Sequence, residues 1–227
     1  VTIHTLFTPA ASPPLLAPPG VYRPQHDTRL LARALQREDM KPGTRVLELG
    51  TGSGALALAA ASRGARVTAV DISRRAVLTA RLNAMIARTH VTVRRGDLTA
   101  AVAGESYDLV ISNPPYVPSP DARPPRRGAA RAWDAGHDGR MLVDRICDAV
   151  PGVLRPAGVL LVVHSGLCGV DATLDRLTGA GLAAVVVDRA TVPFGPVLRS
   201  RLPWLRRTGL LRDEAEEELV VIRAEHA

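Results

Sequence analysis

A doubly wound α/β fold, built on a mostly parallel seven-stranded sheet with an antiparallel edge strand, is the architecture this sequence predicts. Short β-branched runs alternate with helical periods, at a spacing that suits parallel strands joined by crossover helices. A glycine-rich turn over 50–54 follows directly on the first of those runs. The 227 residues suffice for one sizeable core and are too few for two domains plus a linker.

Residues 1–20 hold five prolines and little periodicity, and read as a flexible or loosely docked arm ahead of a domain over 21–227. Asp27 or Thr28 is placed to cap a first helix with Leu30, Leu31, Ala34 and Leu35 as its apolar stripe. After the Pro42-Gly43 turn comes a buried strand over 45–49, then the glycine turn and a small-residue helix over 55–63 that Gly64 closes. A second strand over 66–70 leads to Ser73, an N-cap for a helix over about 74–87. Strands follow over 91–94 and 107–111, and then a long Pro/Arg-rich loop from about 114 to 136.

A helix over about 139–149 is expected to turn Met141, Leu142, Ile146 and Ala149 inward. The continuous apolar run 158–163 is a central strand buried on both faces. A helix over 170–178 and strands over 183–187 and 218–223 complete the chain. The last two strands lack a clear crossover helix, so they are expected to pair antiparallel at one edge. The acidic run 213–218 reads as a solvated loop.

Composition narrows the class. The residues 1–4 have neither the basic start nor the apolar core of a secretory leader, and no apolar run is long enough to span a bilayer. Cys147 and Cys168 alone make no disulfide framework or metal cluster, and read as small buried apolar residues in a reducing, cytoplasmic protein. His26, His137 and His164 are too scattered for a metal site, so no metal is expected. The formal charge of +7 comes almost wholly from arginine, with clusters over 123–131 and 199–207 that read first as solvated surface.

The glycine turn alone signals only a tight strand-to-helix connection. Three carboxylates sharpen it. Glu48 stands just before Gly50, Thr51, Gly52 and Gly54, where it can face the cationic methionine end of a ligand. Asp71 ends the second strand, where a carboxylate accepts both hydroxyls of a ribose, with Ile72 beside it. Asp97, followed by Leu98, follows the third strand and can accept from an adenine amine. All lie near the carboxyl ends of parallel strands, the edge at which open α/β sheets bind ligands. A dinucleotide would share the glycines and Asp71 but gain nothing from Glu48, so S-adenosylmethionine is the expected cofactor.

The fourth strand runs into Asn113-Pro114-Pro115-Tyr116 at that same edge. In isolation this is a proline turn. Beside a cofactor it solves a chemical problem. The nitrogen of an amide or of an exocyclic amine gives its lone pair to a π-system and is a poor nucleophile. Asn113 Oδ1 and the Pro114 carbonyl can each accept one of its N–H bonds, which orients it and favours the positive charge it gains on attack. Pro115 helps hold the turn rigid, and Tyr116 offers a flat surface to the planar group.

With these motifs together the chain resembles the class I methyltransferases of the HemK/PrmC type, which methylate glutamine in peptide-chain release factors. The segment 21–28, Val-Tyr-Arg-Pro-Gln-His-Asp-Thr, resembles the leading motif of the family's short branch, which lacks the N-terminal helical domain of the bacterial enzymes. That resemblance makes Tyr22, Asp27 and Thr28 candidate cofactor contacts. Ala135-Gly136-His137-Asp138-Gly139 is similar to the family's Gly-rich segment. It implies a release factor as protein substrate and a small activator subunit as partner.

Arg23 and His26 stand where the branch typically has acids, and the stretch 194–211 looks longer than its counterpart. Adenine N6-methyltransferases share the Asn-Pro-Pro-Tyr device, but this chain shows no target-recognition domain, so nucleic acid is the less favoured partner. A small metabolite or peptide amine is a third acceptor, with the loop over 117–135 as a lid. A non-catalytic binding protein of the same fold ranks last, since Asp71, Asn113 and the turn glycines are intact.

Overall fold

A computed structural model describes residues 15–122, 125 and 128–226. Its strands are β1 (Arg45–Leu49), β2 (Arg66–Asp71), β3 (Val91–Arg95), β4 (Tyr107–Ser112), β5 (Leu154–Ser165), β6 (Leu182–Pro193) and β7 (Glu216–His226). Its helices are α1 (His26–Arg37), α2 (Ala55–Ala61), α3 (Arg74–Ile86), α4 (Met141–Ala149), α5 (Val170–Gly179) and α6 (Pro196–Arg207).

All seven strands form one sheet in the order β3-β2-β1-β4-β5-β7-β6. β1 to β5 pair in parallel, while β7 runs antiparallel between β5 and the outermost β6. The expected antiparallel edge is therefore present, with β7 as its inner member. Positions 46–49, 109–112 and 158–165 are buried in succession. In a strand, successive side chains face opposite ways, so such runs require cover on both faces of the sheet. Leu47, Leu49, Val110, Leu160 and Leu161 are completely inaccessible at its centre.

Local chemistry sets several boundaries as expected. Ser73 caps α3 by accepting from Ala76 N, and Gly64 leaves α2 in the left-handed region at φ 86°. Of the proline-rich arm, residues 1–14 lie outside the described residues. At Leu16 the backbone N–H donates to Asn83 Oδ1 at 3.0 Å, and its carbonyl accepts from Asn83 Nδ2 at 2.9 Å, which fastens the chain to α3. Arg123, Arg126 and Arg127 of the first arginine cluster are also outside the described residues.

Four expectations are corrected. Asp27 and Thr28 do not cap α1: Gln25 holds that position without a side-chain bond, and both residues are buried in the first turn. The inward face of α4 is Val143, Ile146 and Cys147, a stripe shifted by one residue in a segment apolar on more than one side. The stretch 194–211 contains α6, which begins at Pro196, buries Leu198 and Leu205, and tolerates Pro203 on its exposed side. Glu217 is no part of a solvated loop; it is buried at the start of β7. A short 3-10 turn over Leu98–Val102 also follows β3.

Candidate active site

The strand order reverses between β1 and β4, and a cleft of about 390 Å³ opens there at the carboxyl ends of the strands. Every residue expected in the site lines it, with the exception of Gly54. The N–H groups of Gly50 and Thr51 donate to the Val70 carbonyl at 2.9 and 3.0 Å, hooking the turn onto the end of β2. Gly50 and Gly52 hold φ of 73° and 53°, which a side chain rarely allows. Gly54 lies behind the turn, where an added Cβ would sit 3.2 Å from Ala80 Cβ. Its role is the close packing of α2 on α3.

Asp71 closes this turn from the other side. Its carboxylate accepts from Gly52 N at 2.9 Å and from Ser73 N at 2.8 Å, which fixes its plane at the cleft wall. Each oxygen keeps a second lone pair, as a vicinal diol requires. Burial raises its pKa against those hydrogen bonds. Asp97 forms an ion pair with Arg145 of α4 at 2.8 Å. Leu98 beside it takes φ 47°, a left-handed conformation uncommon for a non-glycine residue, at the same end of the cleft.

Glu48 is buried, and accepts from the Thr51 hydroxyl and from Ala57 N of α2. Burial pushes its carboxyl up to about 8, although both hydrogen bonds work the other way. Glu217 is likewise pushed up to about 7 by burial, with Asp27 adding to the rise. Each folded-state value lies above the unfolded one, near 4.3. The folded protein therefore keeps protons that the unfolded chain releases, and this stabilisation is complete below the unfolded value and lost as pH rises through the folded one. From pH 6.5 to 8 the Tm of the cofactor-free protein is expected to fall, and that of Glu48→Gln to fall less. Equal slopes in thermal melts would contradict the assignment.

Across the cleft, a chain of hydrogen bonds orients Asn113. Tyr22 and Tyr116 both donate to Asp27 Oδ2, at 2.6 and 3.1 Å. The Thr28 hydroxyl donates to Asp27 Oδ1 at 3.2 Å and accepts from Asn113 Nδ2, also at 3.2 Å. With its nitrogen committed to Thr28, Asn113 presents Oδ1 as a free acceptor. Among the described residues neither that oxygen nor the Pro114 carbonyl receives a hydrogen bond. Tyr116 is held as part of the wall, and burial raises its phenol pKa far beyond the usual range.

The loop after Tyr116 is clamped at its base. Val117 N donates to the Trp133 carbonyl at 2.8 Å, and Ser119 N to the Gly136 carbonyl at 2.8 Å. Arg201 of α6 pairs with Asp134 at 2.6 Å and donates to the Pro118 carbonyl at 2.8 Å. Both cysteines are buried and unpaired, and Cys168 Sγ donates to the Tyr116 carbonyl at 3.1 Å. His164 is buried with its pKa lowered by desolvation, and His137 packs near Trp204 at 6.4 Å between ring centroids. Among the described residues no group of side chains could hold a metal.

Sequence reasoning missed Arg145 and Arg201, because each finds its acid 48 or 67 positions away. Trp133, in the loop after the turn, also lines the cleft.

Two open acceptors, Asn113 Oδ1 and the Pro114 carbonyl, thus share one cleft with the fixed carboxylate of Asp71. By class the molecule is an S-adenosylmethionine-dependent N-methyltransferase. The methyltransferase small domain family matches residues 15–124. A protein of Methanocaldococcus jannaschii, provisionally named a protein N5-glutamine methyltransferase, is 34% identical over 78% of this chain and 88% of its own length. The release factor glutamine methyltransferase of Xylella fastidiosa strain 9a5c is 39% identical over 72% of this chain, which spans 64% of that protein. A chain of the E. cuniculi Mtq2–Trm112 complex, described as responsible for methylation of the eRF1 translation termination factor, matches with a TM-score of 0.65. It is 25% identical over 92% of this chain and 99% of that one. The chain belongs to the glutamine methyltransferase family.

Proposed function

We propose that the protein transfers a methyl group from S-adenosylmethionine to the side-chain amide nitrogen of a glutamine in a peptide-chain release factor. The observation that carries this reading is the pair of open acceptors, Asn113 Oδ1 and the Pro114 carbonyl, with the Asn113 amide locked by Thr28. The names and similarity of its relatives support the same acceptor.

The residues present suit the donor. Asp71 would hold the ribose, Asp97 the adenine amine, and Glu48 the methionine end, where a cation favours ionisation of a carboxyl that burial otherwise keeps protonated. The donor supplies a methyl group made electrophilic by a sulfonium. Asn113 and Pro114 then accept the two N–H bonds of the acceptor amide and hold its nitrogen in line. As that nitrogen gains positive charge its N–H bonds become stronger donors, so both contacts tighten in the transition state. The new N–C bond would form as the donor's S–C bond breaks to leave a neutral thioether, and one of the two protons would then pass to solvent.

A small activator subunit is part of the proposal. Helix α3 leaves Leu78, Leu82 and Met85 exposed on one side, next to β3 at the edge of the sheet. A labelled-methyl assay with release factor, RNA, DNA and small amines tests the acceptor. Label in a release-factor glutamine is expected, and label only in nucleic acid or in a small amine would overturn the proposal.

A further inference from the structure

Several arginines of the chain are paired with acids. Arg140 pairs with Asp144, Arg145 with Asp97, Arg176 with Asp148 and Arg223 with Glu38. Helix α6 differs. Its sequence, PVLRSRLPWLRR, contains no acid. Leu198 and Leu205 face inward, and Arg201 is spent on Asp134 and Pro118. Arg199, Arg206 and Arg207 share the outer face, all exposed, and none forms an ion pair among the described residues. No acid of the run that follows pairs with them among the described residues, and Glu218 pairs with Arg189 instead.

The position of this face matters as much as its sign. Arg201 is two residues from Arg199 and bonds a carbonyl two residues beyond Tyr116. Val117 packs into the same apolar cluster as Phe194, Leu198 and Leu205. The basic face is thereby tied to the segment that leaves the Asn-Pro-Pro-Tyr turn. Three guanidinium groups without acid partners on one helix attract carboxylates and phosphates alike. Single-stranded nucleic acid would also need aromatic platforms for its bases, and Trp204 on this helix is partly buried beside His137.

We infer that the outer face of α6 is a docking surface for an acidic segment of the acceptor protein, at a distance from the glutamine that is methylated. The inference deepens the protein-acceptor reading and rests on it for its biological meaning. Its physical content is separately measurable.

The test compares wild type with the triple variant Arg199→Gln, Arg206→Gln, Arg207→Gln. A control variant, Arg29→Gln, Arg66→Gln, Arg88→Gln, removes equal charge at other exposed positions. In fluorescence anisotropy a labelled ten-residue glutamate peptide is expected to bind the α6 variant about tenfold more weakly than wild type or control. Raising salt should erase the difference. With intact release factor, KM should rise about tenfold and kcat hold, while kcat/KM for a short glutamine peptide stays unchanged. Equal peptide binding by all three proteins overturns the inference, whatever the acceptor proves to be. So does an unchanged KM for release factor together with weakened binding of an RNA oligonucleotide, which would make the face a nucleic-acid site. Failure of wild type to methylate release factor overturns the proposed acceptor instead, and leaves the peptide measurement to decide the docking surface.

Discussion

Asn113→Ala is expected to lower kcat by about 100- to 1,000-fold, the scale on which removing one preorganised electrostatic contact acts. The variant loses the acceptor that strengthens as the nitrogen gains charge, and the Pro114 carbonyl alone cannot fix the plane of the amide. Asp71, Glu48 and the turn around Gly52 are untouched, so affinity for S-adenosylhomocysteine should stay within about threefold of wild type. Thr28 makes the prediction sharper, because it acts through Asn113 and is a positioning residue. In Thr28→Val the amide can flip and present its NH2 group, with an expected loss of about tenfold in kcat. Thr28→Ser keeps the hydroxyl and should restore most of it. Single-turnover rates at saturating cofactor measure the chemical step directly. Undiminished rates in Asn113→Ala would refute the mechanism.

The second large effect is expected from a residue that never meets substrate. Gly139 holds φ 73°, and a Cβ added there would sit 2.2 Å from the Tyr116 carbonyl oxygen and 3.0 Å from Cys168 Sγ. The collision is with backbone, so the Asn-Pro-Pro-Tyr turn itself must move. A misplacement of about 1 Å at reacting groups costs on the order of 100-fold in rate, and the strained backbone adds roughly 1–3 kcal/mol of destabilisation. Gly104→Ala provides the comparison: φ is 80°, but an added Cβ meets nothing within 4 Å. Gly139→Ala should therefore lose far more turnover than Gly104→Ala for a similar backbone penalty. If melting temperatures and initial rates of the two variants coincide, the turn is not braced in this way.

The parallel half of the sheet was legible because burial on both faces writes itself as continuous apolar runs, as in 158–163, and because Ser73 and Gly64 mark helix ends by local chemistry. The glycine turn, Asp71 and Asn113 were legible for a related reason: each lies at the end of a strand whose identity was already clear. What remained hidden depended on partners far away in sequence. Asp27 has the side chain of a helix cap, and only the arrival of Tyr22, Thr28 and Tyr116 makes it the centre of the hydrogen bonds that reach Asn113. Glu217 sits among acids that are exposed, and its burial follows from the register of β7 against β6. Helix α6 was obscured because Pro203 and the arginines interrupt a leucine period that becomes readable once the apolar cluster beneath it is seen.

The place of α6 in the chain has a consequence for descent. It lies in the connection between β6 and β7, whereas Glu48, Asp71 and Asp97 belong to the first half of the molecule. If α6 docks the acceptor as inferred, insertions, deletions or charge reversals in that connection would redirect the enzyme toward a different macromolecule while the first half is inherited intact. Selection on docking through α6 and selection on the carboxylates of the glycine-turn half would then act on separate stretches of sequence. A lineage would then change its client without rebuilding its chemistry.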